Sequence, residues 1–194
     1  MHEKEIRHRD VKPRNILVSD GNVYFADFGY AMDTGVDRGS QSEVVRRYTA
    51  PEIIRNEPRG TSSDVYSLGC VFVEMLSALM GQPPIDPSLI FSRDVKPILN
   101  TLNGLITTSS RYAFLQSIIT SMLQVDQTRR MSAAMTANLL MTQPDFSCEE
   151  CRRDLLQGCQ HASQRYTIMD NSDPPALRIG EHVSTTDIVA AQST

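Results

Sequence analysis

The stretch His8-Arg9-Asp10-Val11-Lys12-Pro13-Arg14-Asn15 places a carboxylate, an ammonium and a carboxamide on one short segment that runs straight into the apolar residues Ile16-Leu17-Val18. Such a loop can hold a hydroxyl nucleophile, a transferring phosphoryl group and a metal ion together. A carboxylate such as Asp10 can accept a hydroxyl proton, an ammonium such as Lys12 can neutralise charge on phosphoryl oxygens, and a carboxamide such as Asn15 can offer its oxygen to Mg²⁺. These are the parts of a phosphoryl-transfer site.

The stretch resembles the catalytic loop of the eukaryotic protein kinases, and further motifs of that family follow in its order. Asp27-Phe28-Gly29 looks like the metal-binding motif, Ala50-Pro51-Glu52 like the close of an activation segment, and Asp64-Val65-Tyr66-Ser67-Leu68-Gly69 like the start of the large lobe's central helix. Arg130, in Asp126-Gln127-Thr128-Arg129-Arg130, stands where the family has an arginine that pairs with the Ala-Pro-Glu carboxylate; Arg129 is the alternative, one position away. The resemblance implies a mainly α fold, a kinase-like C-terminal lobe that is helical with a small β-hairpin beside the catalytic loop. It implies an ATP-dependent protein serine/threonine kinase, with Asp10, Lys12 and Asn15 catalytic, Lys12, Asn15 and Asp27 at the nucleotide, and Asn15 and Asp27 on Mg²⁺. Lys12 after His8-Arg9-Asp10 is similar to the pattern of kinases that act on serine and threonine, so the implied partner is a protein substrate with such a hydroxyl. By the same resemblance Asp64 accepts hydrogen bonds from the backbone around His8 and Arg9.

Those groups work only if other elements bring them together. The apolar segments Asn15 to Ser19 and Val23 to Asp27 flank Ser19-Asp20-Gly21-Asn22, whose Asp-Gly pair supplies the positive φ of a tight hairpin turn. That hairpin returns Asp27 toward Asp10 and Asn15. From Gly29 to Thr49 the chain is rich in Gly, Asp, Ser and Arg without apolar period, and reads as a long irregular loop of the functional kind. In the family this is the activation segment, and Arg9 implies that a phosphate on it, at Ser40 or Ser42 in preference to Thr34, pairs with that arginine. Where the family has a threonine bridging the catalytic aspartate and lysine, three residues before Tyr48, this chain has Val45, which cannot hydrogen-bond. Either other contacts hold Asp10 and Lys12, or catalysis is impaired; Thr49 is the nearest hydroxyl, on the wrong side of Tyr48.

Pro51 to Asn56 reads as a short helix, and Thr61-Ser62-Ser63 offers caps for a long apolar helix from about Asp64 to Met80. Val65, Leu68, Val71, Phe72, Met75, Leu76 and Leu79 follow helical spacing, so this helix belongs in the middle of the domain. A short helix is expected near Val95 to Leu102. Ser110 opens another with Leu115, Ile118, Ile119, Met122 and Leu123 on one face, and Ser132 opens a last one. The methionines read as core filler.

With 194 residues, 40% hydrophobic and 22% charged, the chain suffices for one core, and a formal charge of −4 argues against nucleic acid or a membrane surface as partner. The basic residues Arg7, Arg9, Lys12, Arg14, Arg46 and Arg47 cluster near the motifs; they read as recognition of phosphate and phosphopeptide, with a solvated face as the plain alternative. The run from Leu68 to Met80 is short and interrupted by Glu74, and no signal peptide is evident, so the expectation is a soluble intracellular protein. Residues 1–142 read as the kinase C-lobe and 143–194 as a polar, disordered tail. Within the tail, Cys148, Cys151, Cys159 and His161 have a spacing compatible with zinc, against free thiols as the default.

Met1 to Ile6 looks like the last turn of the helix that leads into the catalytic loop. The 194 residues hold no counterpart of the family's Gly-rich phosphate loop, strand lysine, helix glutamate or adenine hinge. The expectation is a truncated lobe whose partner is the missing N-lobe or a regulatory protein, leaving Phe28 as exposed apolar surface. The alternative is a non-catalytic kinase-like interaction module.

Overall fold

The computed structural model of the protein describes residues 1–20, 22–33, 47–105, 110–147, 149, 153 and 177–178. A 3-10 turn at His2–Lys4 leads through Glu5, in the left-handed region at φ 56°, into β1, Ile6–Arg7. The loop that follows ends in a 3-10 turn at Pro13–Asn15, where the fixed φ of proline suits the first position. β2, Ile16–Ser19, and β3, Asn22–Phe25, then form the expected antiparallel hairpin, in register from Ile16↔Phe25 to Ser19↔Asn22. Asp20 enters the turn at φ 50°, as a tight hairpin requires. β4, Met32–Asp33, runs back along β1 with Arg7 opposite Met32. Because β1 pairs with β4 and β2 with β3, the connecting loops 8–15 and 26–31 are held side by side. A further short strand, β5 at Leu177–Arg178, pairs with β2 on the edge away from β3.

The rest is helical: α1 (Pro51–Ile54), α2 (Ser62–Leu79), α3 (Phe91–Leu105), α4 (Ser110–Met122) and α5 (Ala133–Met141). The fold is thus mainly α, with the small hairpin beside the 8–15 loop. α2 is the axis of the core. Tyr66, Cys70, Val73 and Leu76 pack with Phe91 and Val95 of α3 and with Leu115 and Ile119 of α4, while Val65 packs with Ile118 and Met122. Val71 faces the other way and meets Val11 and Ile16, so the 8–15 loop is anchored to the same helix. Gly69 permits the close crossing of α2 and α4: a Cβ there would lie 3.0 Å from Met122 Cβ and 3.1 Å from Leu123 Cδ2, inside ordinary contact distance.

Three local expectations are revised by tertiary contacts. Thr61 precedes α2 in a helical conformation and makes no side-chain cap; Ser62 and Ser63 turn their hydroxyls to Gln127 and Glu52. Ser132 caps as expected, accepting from Met135 N–H at 3.2 Å. α3 is longer than its sequence pattern and runs through Pro97, because Phe91 and Val95, one turn apart, are both buried in the core. Phe28 is half-buried instead of exposed, its ring centroid 4.8 Å from that of His8. Among the described residues no helix is long and apolar enough to cross a membrane.

Candidate functional site

Asp64, near the start of α2, fixes the backbone of the 8–15 loop. Its Oδ2 accepts the His8 N–H at 2.7 Å and its Oδ1 the Arg9 N–H at 2.8 Å. Arg9 sits at φ 67°, a conformation costing a non-glycine residue roughly 1–3 kcal/mol, and the two bonds from Asp64 hold it there. His2 adds a third contact, Nε2 to Asp64 Oδ2 at 3.0 Å. His8 is fully buried; its Nδ1 accepts the Asp10 N–H at 3.4 Å, so Nε2 carries the proton and donates to Ala26 O at 2.9 Å. One imidazole thereby ties the Asp10 backbone to the residue preceding Asp27.

Asp10 is 7% exposed and Asn15 5%, so both are oriented by the protein and not by water. Asn15 Nδ2 donates to Asp10 O at 2.9 Å and to Asp10 Oδ2 at 3.2 Å, while Lys12 Nζ reaches the same Oδ2 at 2.5 Å. The pair that Val45 cannot bridge is therefore in direct contact. Val45 itself lies outside the described residues, as do Thr34, Ser40, Ser42 and Arg46, and as do Cys148, Cys151, Cys159 and His161 of the zinc spacing.

The hairpin delivers Asp27 as expected. Ala26 N–H donates to Asn15 O at 2.9 Å, extending the β2–β3 ladder by one bond and setting Asp27 at the Asn15 end of the sheet. Asp27 is exposed at φ 63°, and no hydrogen bond to its carboxylate occurs among the described residues. Gly29 leaves room for it, since a Cβ at that position would lie 3.3 Å from Asp27 Oδ1. The Asn15 amide nitrogen is committed to Asp10, so its oxygen points elsewhere, and nothing among the described residues donates to it. A carboxamide oxygen and an unshared carboxylate are hard oxygen donors of the kind Mg²⁺ takes.

Arg130 answers the question left between two arginines. Its Nη1 and Nη2 meet Glu52 Oε1 and Oε2 at 2.7 and 2.9 Å, and the remaining N–H groups reach Gln124 O and Ser62 O. The guanidinium also lies 5.0 Å over the Tyr66 ring. Burial alone raises the Glu52 carboxyl pKa, and hydrogen bonds from Arg130 and Ser63 with the Arg130 charge outweigh it, leaving the group below its ordinary value.

These motifs are those of one family. A family model described as "Protein kinase domain" matches residues 1–141. The chain belongs to the protein kinase family. The human cAMP-dependent protein kinase catalytic subunit PRKX is 36% identical over 136 residues, covering 68% of this chain and 35% of that protein. A probable serine/threonine-protein kinase of Dictyostelium discoideum is 47% identical over 77 residues, 39% of this chain and 6% of that protein. The serine/threonine-protein kinase PknB of Mycolicibacterium smegmatis is 45% identical over 89 residues, 43% of this chain and 14% of that protein. The chain thus spans about a third or less of these curated kinase relatives.

Arg47, read from sequence as one of the phosphate-recognising basic residues, and Glu74 have a different role in the structure. Glu74 entered only as a charge interrupting an apolar run, yet a carboxylate on a buried helix calls for a partner. Its Oε1 accepts from Arg47 Nε at 3.0 Å and Nη2 at 2.8 Å, and its Oε2 accepts from Tyr48 OH at 2.9 Å. Burial, then the Glu74 charge, push the Tyr48 phenol well above its usual range, so it remains a donor. Arg47 also donates to the carbonyls of Ile85, Asp86 and Leu89 and lies 4.9 Å over the Phe91 ring. This arginine is a structural clamp, not a phosphate reader. Arg7 is likewise buried, with Nη1 on Arg59 O at 2.8 Å.

Proposed function

We propose that this chain carries the catalytic half of an ATP-dependent protein serine/threonine kinase. The observation that supports it most is the joint placement of Asp10, Lys12 and Asn15 in one hydrogen-bonded group beside the hairpin that returns Asp27. In this reading Asp10 takes the proton of a substrate serine or threonine hydroxyl as that oxygen forms its bond to the γ-phosphorus of ATP. The bond from that phosphorus to the ADP oxygen breaks, and the proton leaves on the Asp10 carboxyl. Lys12 offsets charge on the phosphoryl oxygens and, through its contact with Asp10, holds the base in line. Asn15 Oδ1 and the Asp27 carboxylate would hold Mg²⁺, which supplies positive charge beside the phosphates. Positioning and charge stabilisation of this kind carry most of phosphoryl-transfer catalysis. The protein assayed in the full length that its own cells express is expected to label protein substrates with phosphoserine and phosphothreonine and not phosphotyrosine. Phosphoamino-acid analysis of the products checks this.

The 194 residues hold no counterpart of the Gly-rich loop, strand lysine and hinge with which the family grips adenine and the α and β phosphates. Purified alone, they are expected to bind ATP weakly and to show no measurable turnover, in contrast to the full expressed protein. Robust transfer by the purified chain would contradict this. The same feature supports the second reading, a non-catalytic interaction module. Met75, 42% exposed, and Leu79, 61% exposed, lie one turn apart near the C-terminal end of α2, and such apolar surface suits an N-lobe or a regulatory partner. Either way we place the protein inside the cell.

A further inference from the structure

A cleft of about 610 Å³ opens beside the candidate site, and Lys12, Arg14, Arg47, Tyr48 and Glu74 are among the residues that line it. Pro83, Pro84 and Pro87 stiffen its rim. The charges in it are unequally committed. Lys12 is paired with Asp10, and Arg47 with Glu74. Glu74, the one carboxylate among the described lining residues, is already engaged by Arg47 and Tyr48, so it offers little to a cation on an incoming peptide. Arg14 is different: it is exposed and has no hydrogen-bond or ion-pair partner among the described residues. It also stands on the same rigid turn, Pro13–Asn15, that carries Asn15.

We propose that this cleft selects a peptide carrying an anionic side chain, carboxylate or phosphate, close to its acceptor hydroxyl, with Arg14 as the residue that reads it. The inference rests on the kinase reading and names the substrate class of that site. A guanidinium binds either oxyanion through paired N–H groups, phosphate more strongly than carboxylate. A lysine or arginine at the same place in the peptide meets like charge, with no free carboxylate among the described lining residues to offset it.

The test is peptide binding to the 194-residue chain by fluorescence anisotropy, which needs no nucleotide. Four labelled peptides share a central serine and differ in the flanking residues: alanine, aspartate, phosphoserine or lysine. Since Arg14 is exposed, the expected preference for aspartate over alanine is about two- to fivefold, with phosphoserine about tenfold over alanine and lysine weakest. Arg14→Glu should reverse the order of the aspartate and lysine peptides, and Arg14→Lys should keep it in weaker form. A phosphoserine peptide bound well above the aspartate peptide assigns the ligand to a phosphorylated segment; equal binding assigns it to an acidic one. Equal affinity for aspartate and lysine peptides, binding of none of the four, or an acid preference that survives Arg14→Glu would each overturn the proposal. Loss of charge preference with phosphoryl transfer intact in the full expressed protein refutes this inference alone. Preference without transfer refutes the kinase reading alone.

Discussion

Arg130→Ala is expected to cost about 3–5 kcal/mol of folding stability, because it strands the buried Glu52 carboxylate without its partner. Both side chains of the pair are fully inaccessible. A loss of that size is a large part of the roughly 5–15 kcal/mol by which a domain is stable. Arg130→Lys should recover only part of it, since an ammonium cannot reproduce the two-pronged contact with both Glu52 oxygens. Urea midpoints for the two variants, at unchanged slope, measure the effect. Replacing both residues by apolar ones of similar volume should cost less than either single removal, which a double-mutant cycle reads directly.

The same pair sets a pH dependence. The folded Glu52 carboxyl lies below its ordinary 4.5, so its contribution is fully present above that value and is lost as the pH falls through the lower folded value. Melting temperatures should therefore decline on acidification below about 4.5 in the native chain, and the part due to this pair should be absent in Arg130→Ala.

The candidate site was legible in the sequence because the groups that compose it lie on short contiguous motifs. Asp10, Lys12 and Asn15 fall on one loop, and the Asp-Gly turn that returns Asp27 is itself a local signal, realised as the pairing of Ile16 with Phe25. The central helix was legible for the same reason: its apolar spacing marks Val65, Val71 and Leu76, which are buried, while Met75 and Leu79 of the same spacing turn to the surface. What escaped depends on partners distant in the chain. The role of Arg47 rests on Glu74 and on carbonyls beyond residue 84, and that of His2 on Asp64; neither pairing leaves a trace in local spacing. Ser63 shows the converse, a residue with good capping chemistry that instead donates to Glu52, because satisfying a buried carboxylate outweighs an exposed cap. Phe28 was expected in the open because the 194 residues hold no counterpart of the surface it meets in the family, yet His8 of this same chain covers it in part.

The largest functional effect is expected at Asp10. Asp10→Asn keeps the size of the side chain and its hydrogen bond to Lys12 or Asn15 but removes the ability to take a proton. Loss of a positioned general base lowers the rate by typically about 10²–10⁴-fold. Substrate affinity should change far less, because the proposed role of Asp10 is toward the reacting hydroxyl and not toward the residues that the cleft would read. The decisive measurement is the single-turnover rate of transfer from γ-labelled ATP to a serine-containing protein substrate, for the full expressed protein and its Asp10→Asn variant, both shown to be folded by circular dichroism. Transfer by the native protein, reduced by about 10²–10⁴-fold in the variant, is the result expected if Asp10, Lys12, Asn15 and Asp27 form one phosphoryl-transfer site. Absence of transfer by the native protein, or transfer that Asp10→Asn leaves unchanged, would contradict it.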